Sequence, residues 1–383
     1  MTGALDGIRI VEFASYVSGP YAGMLLGDLG AEVIKVETPD KGDPFRGWGR
    51  VEYSPTFGSV NRNKKSVTLD LKSADGKADA RLLATSADVL IENMRAGAMD
   101  RLGLGYDALS PHNPRLIYCA ITGFGNTGPY AKRPGYDTVG QGTSGLLSLL
   151  TDLENPLPMG ISLSDHLSGM VAAQGILAAL VARSVSGKGQ RIDTSLLEAT
   201  LSFCGENAAN YFENGKTPNR AMRTHRAQVY AFVAGDGKPF VIHLSSPTKF
   251  WEGLVRVVDK PEWLGDPRFA SKEARGRNYD PLHAALTETF RRDTRRAWLD
   301  KLLAEDVPAG PINNFDDVFA DPQVQHLEMR VDAPHATRGK VALIRNGLRM
   351  SATPPSIRSG PPELGEHNEE ILSVLRVKGQ KAP

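Results

Sequence analysis

Residues 7–36 alternate in a way that few folds accommodate. GIRIVEF (7–13) is a short apolar run with β-branched residues. SYVSGPYAGMLLGDLGA then spaces its apolar residues as a helix does, and AEVIKVE is a second short run. Pro20 suits a first helical turn, where its missing N–H leaves no bond unmade. Strand, helix and strand within about 30 residues make a βαβ unit, whose two strands run parallel. The pattern recurs: SVTLDL (66–71), a polar helix, DVLIEN (88–93), a helical RAGAMDRLGL, and RLIYCAITGFG (115–125). The spacing predicts an α/β domain with a mostly parallel sheet over residues 1–204.

Beyond residue 160 the sequence becomes helical, and SDHLSGMVAAQGILAALVARSVSG carries small and apolar residues on almost every face. Such a helix belongs in a core or an interface. Residues 205–225 are polar and turn-rich, and read as a linker. QVYAFVAGDGKPFVIHL (228–244) is two strands joined at Gly235-Asp236-Gly237, a hairpin signal. With the charged helical stretches after it, it predicts a smaller α+β domain at 226–328. Residues 329–383, with the strand-like KVALIRNGLRM and a short final helix, are expected to return to the large domain.

Composition narrows the function. Lys and Arg number 45 against 44 Asp and Glu, so the chain has no global field for nucleic acid or an anionic membrane. No uninterrupted apolar run reaches the ~20 residues that span a bilayer, and the N-terminus lacks the basic and apolar regions of a secretory signal. Cys119 and Cys204 are the only cysteines, too few for a disulfide framework, and a reducing cytoplasm is the expected compartment. The eight histidines show no metal-ligand spacing, so no metal site is expected.

GFGNTG at 123–128 follows a strand, but PYAKRPGYD after it puts two prolines where a dinucleotide fold needs a helix to begin. We read it as a glycine-rich loop at the carboxyl edge of the sheet, where α/β proteins place ligands. Asp165, in GISLSDHLSGM, precedes the apolar helix. Local sequence alone favours Ser164 or Asp165 as a helix cap; a functional carboxylate at Asp165, kept ionised by the helix dipole, is the second reading. His166 is adjacent, but neighbouring side chains at a helix start diverge, and no G-x-S-x-G elbow is present. Arg46, Arg62, Lys64, Lys65, Lys72, Arg95 and Arg101 recur near expected loop ends; each alone reads as surface, and several together suit a ligand with several phosphates.

Nine segments in order carry a resemblance: GPYAGMLLGDLGAEVIKVE, GDPFRGW, NRNKKSVTLDLK, ENMRAGAMDRLGL, TGFGNTGPYAKRPGYD, the Asp165 helix, DPRF, VPAGPI and ELGEHNEEIL. Together they resemble the family III CoA-transferases, the group that includes formyl-CoA transferase, crotonobetainyl-CoA:carnitine CoA-transferase and the alpha-methylacyl-CoA racemases. The resemblance implies a Rossmann-like large domain made from both chain ends, a smaller domain, and two chains interlocked as a homodimer. It implies that Asp165 is the catalytic aspartate, forming an aspartyl–acyl anhydride and then an aspartyl–CoA thioester. The racemases have a histidine where this chain has Tyr136, and a phenol of ordinary pKa ~10 replaces imidazole poorly in proton exchange. Transfer from an acyl-CoA to a carboxylic acid is therefore favoured over racemisation, the alternative.

By the same resemblance Leu69, Lys72, Asn93 and Arg101 line the adenosine and phosphate part of CoA, and Met94 and Tyr136 its pantetheine and adenine. CoA is implied as substrate, with no permanently bound cofactor. The Ser18-Gly19 N–H groups are candidates for holding an oxyanion. Val17 and Thr38 depart from the glutamine and arginine of formyl-CoA transferase, and the small domain lacks its glycine run, which argues against oxalate as acceptor. Tyr16 and Val17 suggest a more apolar acyl pocket, and Arg46 and Arg223 are candidates for a second carboxylate.

Overall fold

The computed structural model describes residues 3–48, 53–245 and 248–379. They form two compact units. The larger is built from the chain up to Leu147, from Pro158–Ala209 and from Leu327 onward; the smaller from Ser148–Leu157 and Asn210–His326.

The larger unit runs β1 (Arg9–Phe13), α1 (Ser18–Asp28), β2 (Glu32–Glu37), α2 (Pro55–Asn61), β3 (Lys64–Thr68), α3 (Ala74–Thr85), β4 (Val89–Glu92), α4 (Ala98–Arg101), α5 (Tyr106–Leu109), β5 (Ile117–Thr122), α6 (Asp137–Thr143), α7 (Leu163–Ser186), β6 (Arg191–Ser195) and α8 (Leu196–Phe203). The six strands pair in parallel in the order β3-β2-β1-β4-β5-β6. Connections leave β1 toward one side and β4 toward the other, which opens a crevice at the carboxyl ends of these strands. Strand alternation divides the core: Ile10, Val33 and Ile91 pack with α1 and α7 residues on one face, Val11, Ile34 and Leu90 with α3 residues on the other.

Helix α1 lies close to the sheet because Gly19, Gly23 and Gly27 share a face. A Cβ at Gly23 would stand 2.1 Å from the Glu12 carboxylate. The third strand begins two residues earlier than its apolar pattern predicts. Lys64 and Lys65 pair with Val33 and Ile34 of β2, and the Lys64 amine is buried on Glu12; hydropathy does not reveal a lysine whose charge is met inside. The strand ends at Thr68, and Ser73 caps α3 by accepting from the Gly76 N–H. Although no run is unbroken, α7 is one helix long and apolar enough, by length and composition, to cross a membrane. Its Ala172, Ala173, Ile176 and Ala179 are buried in the core with residues of α1, β4 and β5.

The residues read as a linker are largely helical: α9 (Gly205–Asn214) and α10 (Arg220–Ala227), the latter capped by the Asn219 side chain. The smaller unit continues with β7 (Val229–Val233), β8 (Pro239–His243), α11 (Thr248–Val257), α12 (Lys272–Arg277), α13 (Tyr279–Phe290), α14 (Arg295–Ala304), β9 (Ala309–Pro311), α15 (Phe315–Ala320) and α16 (Pro322–His326). Strands β7, β8 and β9 form an antiparallel sheet over a core of Phe240, Trp251, Phe290 and Trp298. Gly237, at φ 76°, makes the turn before β8. Residues 148–157, placed by sequence in the larger domain, are tied to α10 by an Arg220–Asp152 ion pair of 2.9 Å. The tail forms an antiparallel hairpin, β10 (Arg330–His335) and β11 (Gly339–Ile344), and a last helix, α17 (Asn368–Gly379), against α3 and β3.

Candidate active site

A cleft of about 400 Å³ opens at the carboxyl edge of the sheet, inside the larger unit. Its walls come from the segments after β1, β4 and β5, from the start of α8, and from the first turn of α7. Tyr16, Asn93, Met94, Arg101, Tyr136 and Asp165 all line it. Leu69 instead borders a smaller neighbouring cavity, which Tyr16, Asn93 and Met94 share. Val17 is buried among Phe45, Phe57 and Val60 and lines neither cavity. Lys72 is exposed and lines neither cavity.

Asp165 is the third residue of α7 and half-buried. Neither it nor Ser164 caps the helix. Ser162 stands at the cap position without a side-chain bond, and the Ser164 hydroxyl accepts from the Thr200 hydroxyl at 2.8 Å. The capping oxygen comes from another helix: Asp137 Oδ1, at the start of α6, accepts the Asp165 N–H at 3.2 Å. Gln141 Nε2 donates to Asp137 Oδ2 at 2.5 Å and to the Ile161 carbonyl at 3.0 Å, which fixes both helix starts. Two glycines allow this crowding. A Cβ at Gly169 would lie 2.6 Å from the Ser18 carbonyl, and one at Gly140 would lie 3.2 Å from Ser164.

The Asp165 carboxylate makes no hydrogen bond or ion pair among the described residues. Burial, and then the like charge of Asp137, push its pKa up to about 7. This departs from the expectation of an ionised acid, because removal from water and a neighbouring negative charge both disfavour the carboxylate form. His166 points elsewhere: its Nδ1 is 2.6 Å from the Ser162 carbonyl and its ring stands edge-on to Tyr21.

The segment after β1 is held from several directions. Asn93 accepts from the Ser15 N–H at 3.0 Å and donates to the Ser15 carbonyl at 2.7 Å and to the Ser18 hydroxyl at 3.1 Å. Ser18 and Gly19 begin α1, so their N–H groups have no carbonyl one turn back. Tyr16 and Tyr136 meet edge to face at 6.1 Å, and Tyr136 is 63% exposed.

Sequence reasoning missed two cations of the cleft, Lys132 and Arg133, and had Arg95 only as one basic residue among several. Their signal is the AKRPGYD run directly after the glycine loop. It also missed Glu92, buried at the end of β4, which accepts the Met94 N–H at 2.8 Å; burial raises its pKa to about 7. Arg46 does not line the cleft. Its guanidinium holds Glu37 through two bonds of 2.7 Å and lies over the Phe57 ring. No group of three potential metal ligands stands together among the described residues.

Residues 5–368 match the family described as CoA-transferase family III. The chain is 36% identical to human succinyl-CoA:glutarate CoA-transferase, over 97% of this chain and 86% of that one. It is 37% identical to the acetyl-CoA:oxalate CoA-transferase of Acetobacter aceti, over 96% and 95%. Among solved structures, a CAIB/BAIF family protein from Brucella suis superposes with a TM-score of 0.88 at 38% identity, covering 98% of this chain and all of that one.

Proposed function

The chain belongs to CoA-transferase family III and is a CoA-transferase; from that premise we propose that it moves CoA from an acyl-CoA to a dicarboxylic acid, with Asp165 as covalent nucleophile. The observation that carries the reading is an unpaired, half-buried carboxyl group in a cleft lined by four cationic side chains, Arg95, Arg101, Lys132 and Arg133.

An Asp165 Oδ atom attacks the thioester carbonyl carbon, the C–S bond breaks, and CoA thiolate leaves a mixed anhydride. The thiolate attacks Cγ of Asp165 and expels the donor acid as its carboxylate. The acceptor carboxylate attacks Cγ of this aspartyl thioester, and thiolate departs again. Thiolate then attacks the acceptor's acyl carbon, which restores the Asp165 carboxylate and completes the new thioester. The Ser18 and Gly19 N–H groups are candidates for the oxyanion formed at each addition. Half-burial of Asp165 limits water, which would hydrolyse the anhydrides.

Arg95, Arg101, Lys132 and Arg133 face the CoA phosphates and the acceptor's second carboxylate, and the neighbouring cavity bordered by Leu69 suits the adenosine end. A dicarboxylic acceptor is supported by the two relatives, named for glutarate and for oxalate; Val17 and Thr38 count against oxalate itself, so the longer acid is preferred. Racemisation has no comparable support: no imidazole stands at position 136. A homodimer is part of the proposal, and exposed Met170, Val181 and Val185 on α7 suit a covered face.

Trapping tests the central claim. The protein is mixed with succinyl-CoA and glutarate, or with acetyl-CoA and oxalate, and quenched with hydroxylamine or borohydride. Modification is expected on the peptide containing Asp165, as the hydroxamate or the reduced alcohol. CoA exchange with no modification there, or with modification at another residue, overturns it.

A further inference from the structure

The turn between β1 and α1 is in a conformation that its sequence does not favour. Tyr16 has φ 65°, in the left-handed region that residues with side chains rarely occupy. No glycine takes that position, and the ring of Tyr16 lines the cleft.

Its neighbours hold it there. The Tyr16 N–H donates to Asp43 Oδ1 at 3.2 Å, and the same oxygen accepts the Phe45 N–H at 2.9 Å. The other Asp43 oxygen pairs with Lys35 Nζ at 2.9 Å. Lys35 is wholly buried, and its amine also donates to Glu12 at 3.0 Å and to the Ala14 carbonyl at 2.7 Å. Lys35 thus grips the residue that leads into the turn and the carboxylate that pins its centre. Asn93 occupies both backbone groups of Ser15. Both backbone groups of Ser15 and the Tyr16 N–H are thus engaged by side chains, while the Ser18 and Gly19 N–H groups begin a helix with no carbonyl one turn back.

Stability alone does not call for this arrangement, since apolar residues of similar size often replace buried ion pairs without loss. We propose that Asp43, locked by Lys35, is a positioning residue for the transfer reaction: it holds Ser15–Ser18 in the left-handed turn that presents Tyr16 and the Ser18–Gly19 N–H groups to the acyl group. This rests on the reading of the cleft as the transfer site.

The test uses Asp43→Ala, Asp43→Asn, Tyr16→Gly and the Tyr16→Gly/Asp43→Ala double variant. Crystal structures report φ at position 16. Calorimetry reports affinity for free CoA, and exchange between succinyl-CoA and glutarate reports kcat and KM. In Asp43→Ala, Tyr16 is expected to leave positive φ and kcat to fall about tenfold or more. CoA affinity is expected to change by less than about threefold, because binding groups elsewhere in the cleft remain. Asp43→Asn keeps an accepting oxygen and loses less. Glycine adopts the turn without strain, so adding Asp43→Ala to Tyr16→Gly should cost much less than it costs the wild type. Tyr16 still at positive φ in Asp43→Ala, or fully additive losses, overturns the inference. If Asp43→Ala does not fold, the same cycle is run with Asp43→Asn. If the wild type exchanges no CoA between these acids, the reading of substrate fails on its own. The backbone of Asp43→Ala then still decides whether Asp43 holds the turn.

Discussion

Two places at the carboxyl edge of one sheet bury acidic groups, and they do so in opposite ways. Beside β1 and β2, Glu12, Lys35, Asp43 and Lys64 are all buried. Glu12 meets Lys35 at 3.0 Å and Lys64 at 2.7 Å, and Lys64 adds the Pro20 carbonyl and Asn61. At the start of α7, Asp165 has no cation bonded to it, and its near neighbour is a second acid. Buried charges that face opposite charges fix geometry. An acid with none is free to react, and the fold carries it at a cost in stability.

The largest expected effect breaks the second region. Asp165→Asn should lower CoA exchange between succinyl-CoA and glutarate by about a thousandfold or more, as loss of a covalent nucleophile does. Circular dichroism should find the fold intact, because the Asp137–Gln141 clamp holds the backbone of residue 165 and not its side chain. Retained turnover, with mass spectrometry excluding deamidation, would remove Asp165 from the chemistry.

Breaking the first region should show the reverse. Glu12→Gln leaves two buried ammonium groups short of one negative charge, and about 3–5 kcal/mol of stability should be lost in urea unfolding. CoA affinity of the folded fraction should change little, since Glu12 does not line the cleft.

These two regions also mark what was legible in the chain. Strands β1, β2, β4 and β5 are visible because their apolar runs are buried on both faces. The start of β3 is not, because Lys64 and Lys65 read as surface until their partners are known. Lys35 is hidden for the same reason inside EVIKVE, where a solvent-facing lysine gives the same pattern. Asp165 could be singled out by its place before an apolar helix, but local sequence alone favoured a cap there. Its true cap, Asp137, lies 28 residues earlier, a distance that no capping motif spans. The shared family pattern, rather than periodicity, pointed to the aspartate.

The cost at Asp165 can be measured. Its folded pKa of about 7 lies above the ordinary carboxylate value of ~3.9, so the native state binds that proton more tightly than the unfolded chain does. The contribution of this group is present below pH ~4 and is lost as pH rises through about 7. Asp165→Asn should therefore be more stable than the wild type at pH 8, by roughly 2 kcal/mol after allowing for half-burial, and nearly equal to it near pH 4. A stability difference that does not grow with pH would mean that the carboxylate is not strained in the fold.

Activity should follow the same titration with the opposite benefit. The attacking form is the carboxylate, so kcat/KM should fall about tenfold per pH unit below about 7. Asp137→Asn keeps an oxygen for the Asp165 N–H and removes the like charge, so the acid limb should move down by roughly one unit. Tyr16, Tyr136, Arg95, Arg101, Lys132 and Arg133 also line the cleft and are unchanged in that variant. A limb that stays in place would assign the elevation to burial alone.

The smallest effect sharpens the contrast by keeping the pairing and removing the burial. Arg256 and Glu305 of the smaller unit form an ion pair of 2.9 Å, as short as those around Lys35, but their side chains are 58% and 38% exposed. Water already solvates both, and holding two long side chains together costs entropy, so the pair should contribute less than about 1 kcal/mol. A double-mutant cycle with Arg256→Ala and Glu305→Ala measures that coupling, and added salt should reduce it further. If this pair coupled as strongly as Glu12 with Lys35, distance alone would set the energy. Burial would then explain neither the rigidity beside β1 nor the reactivity at α7.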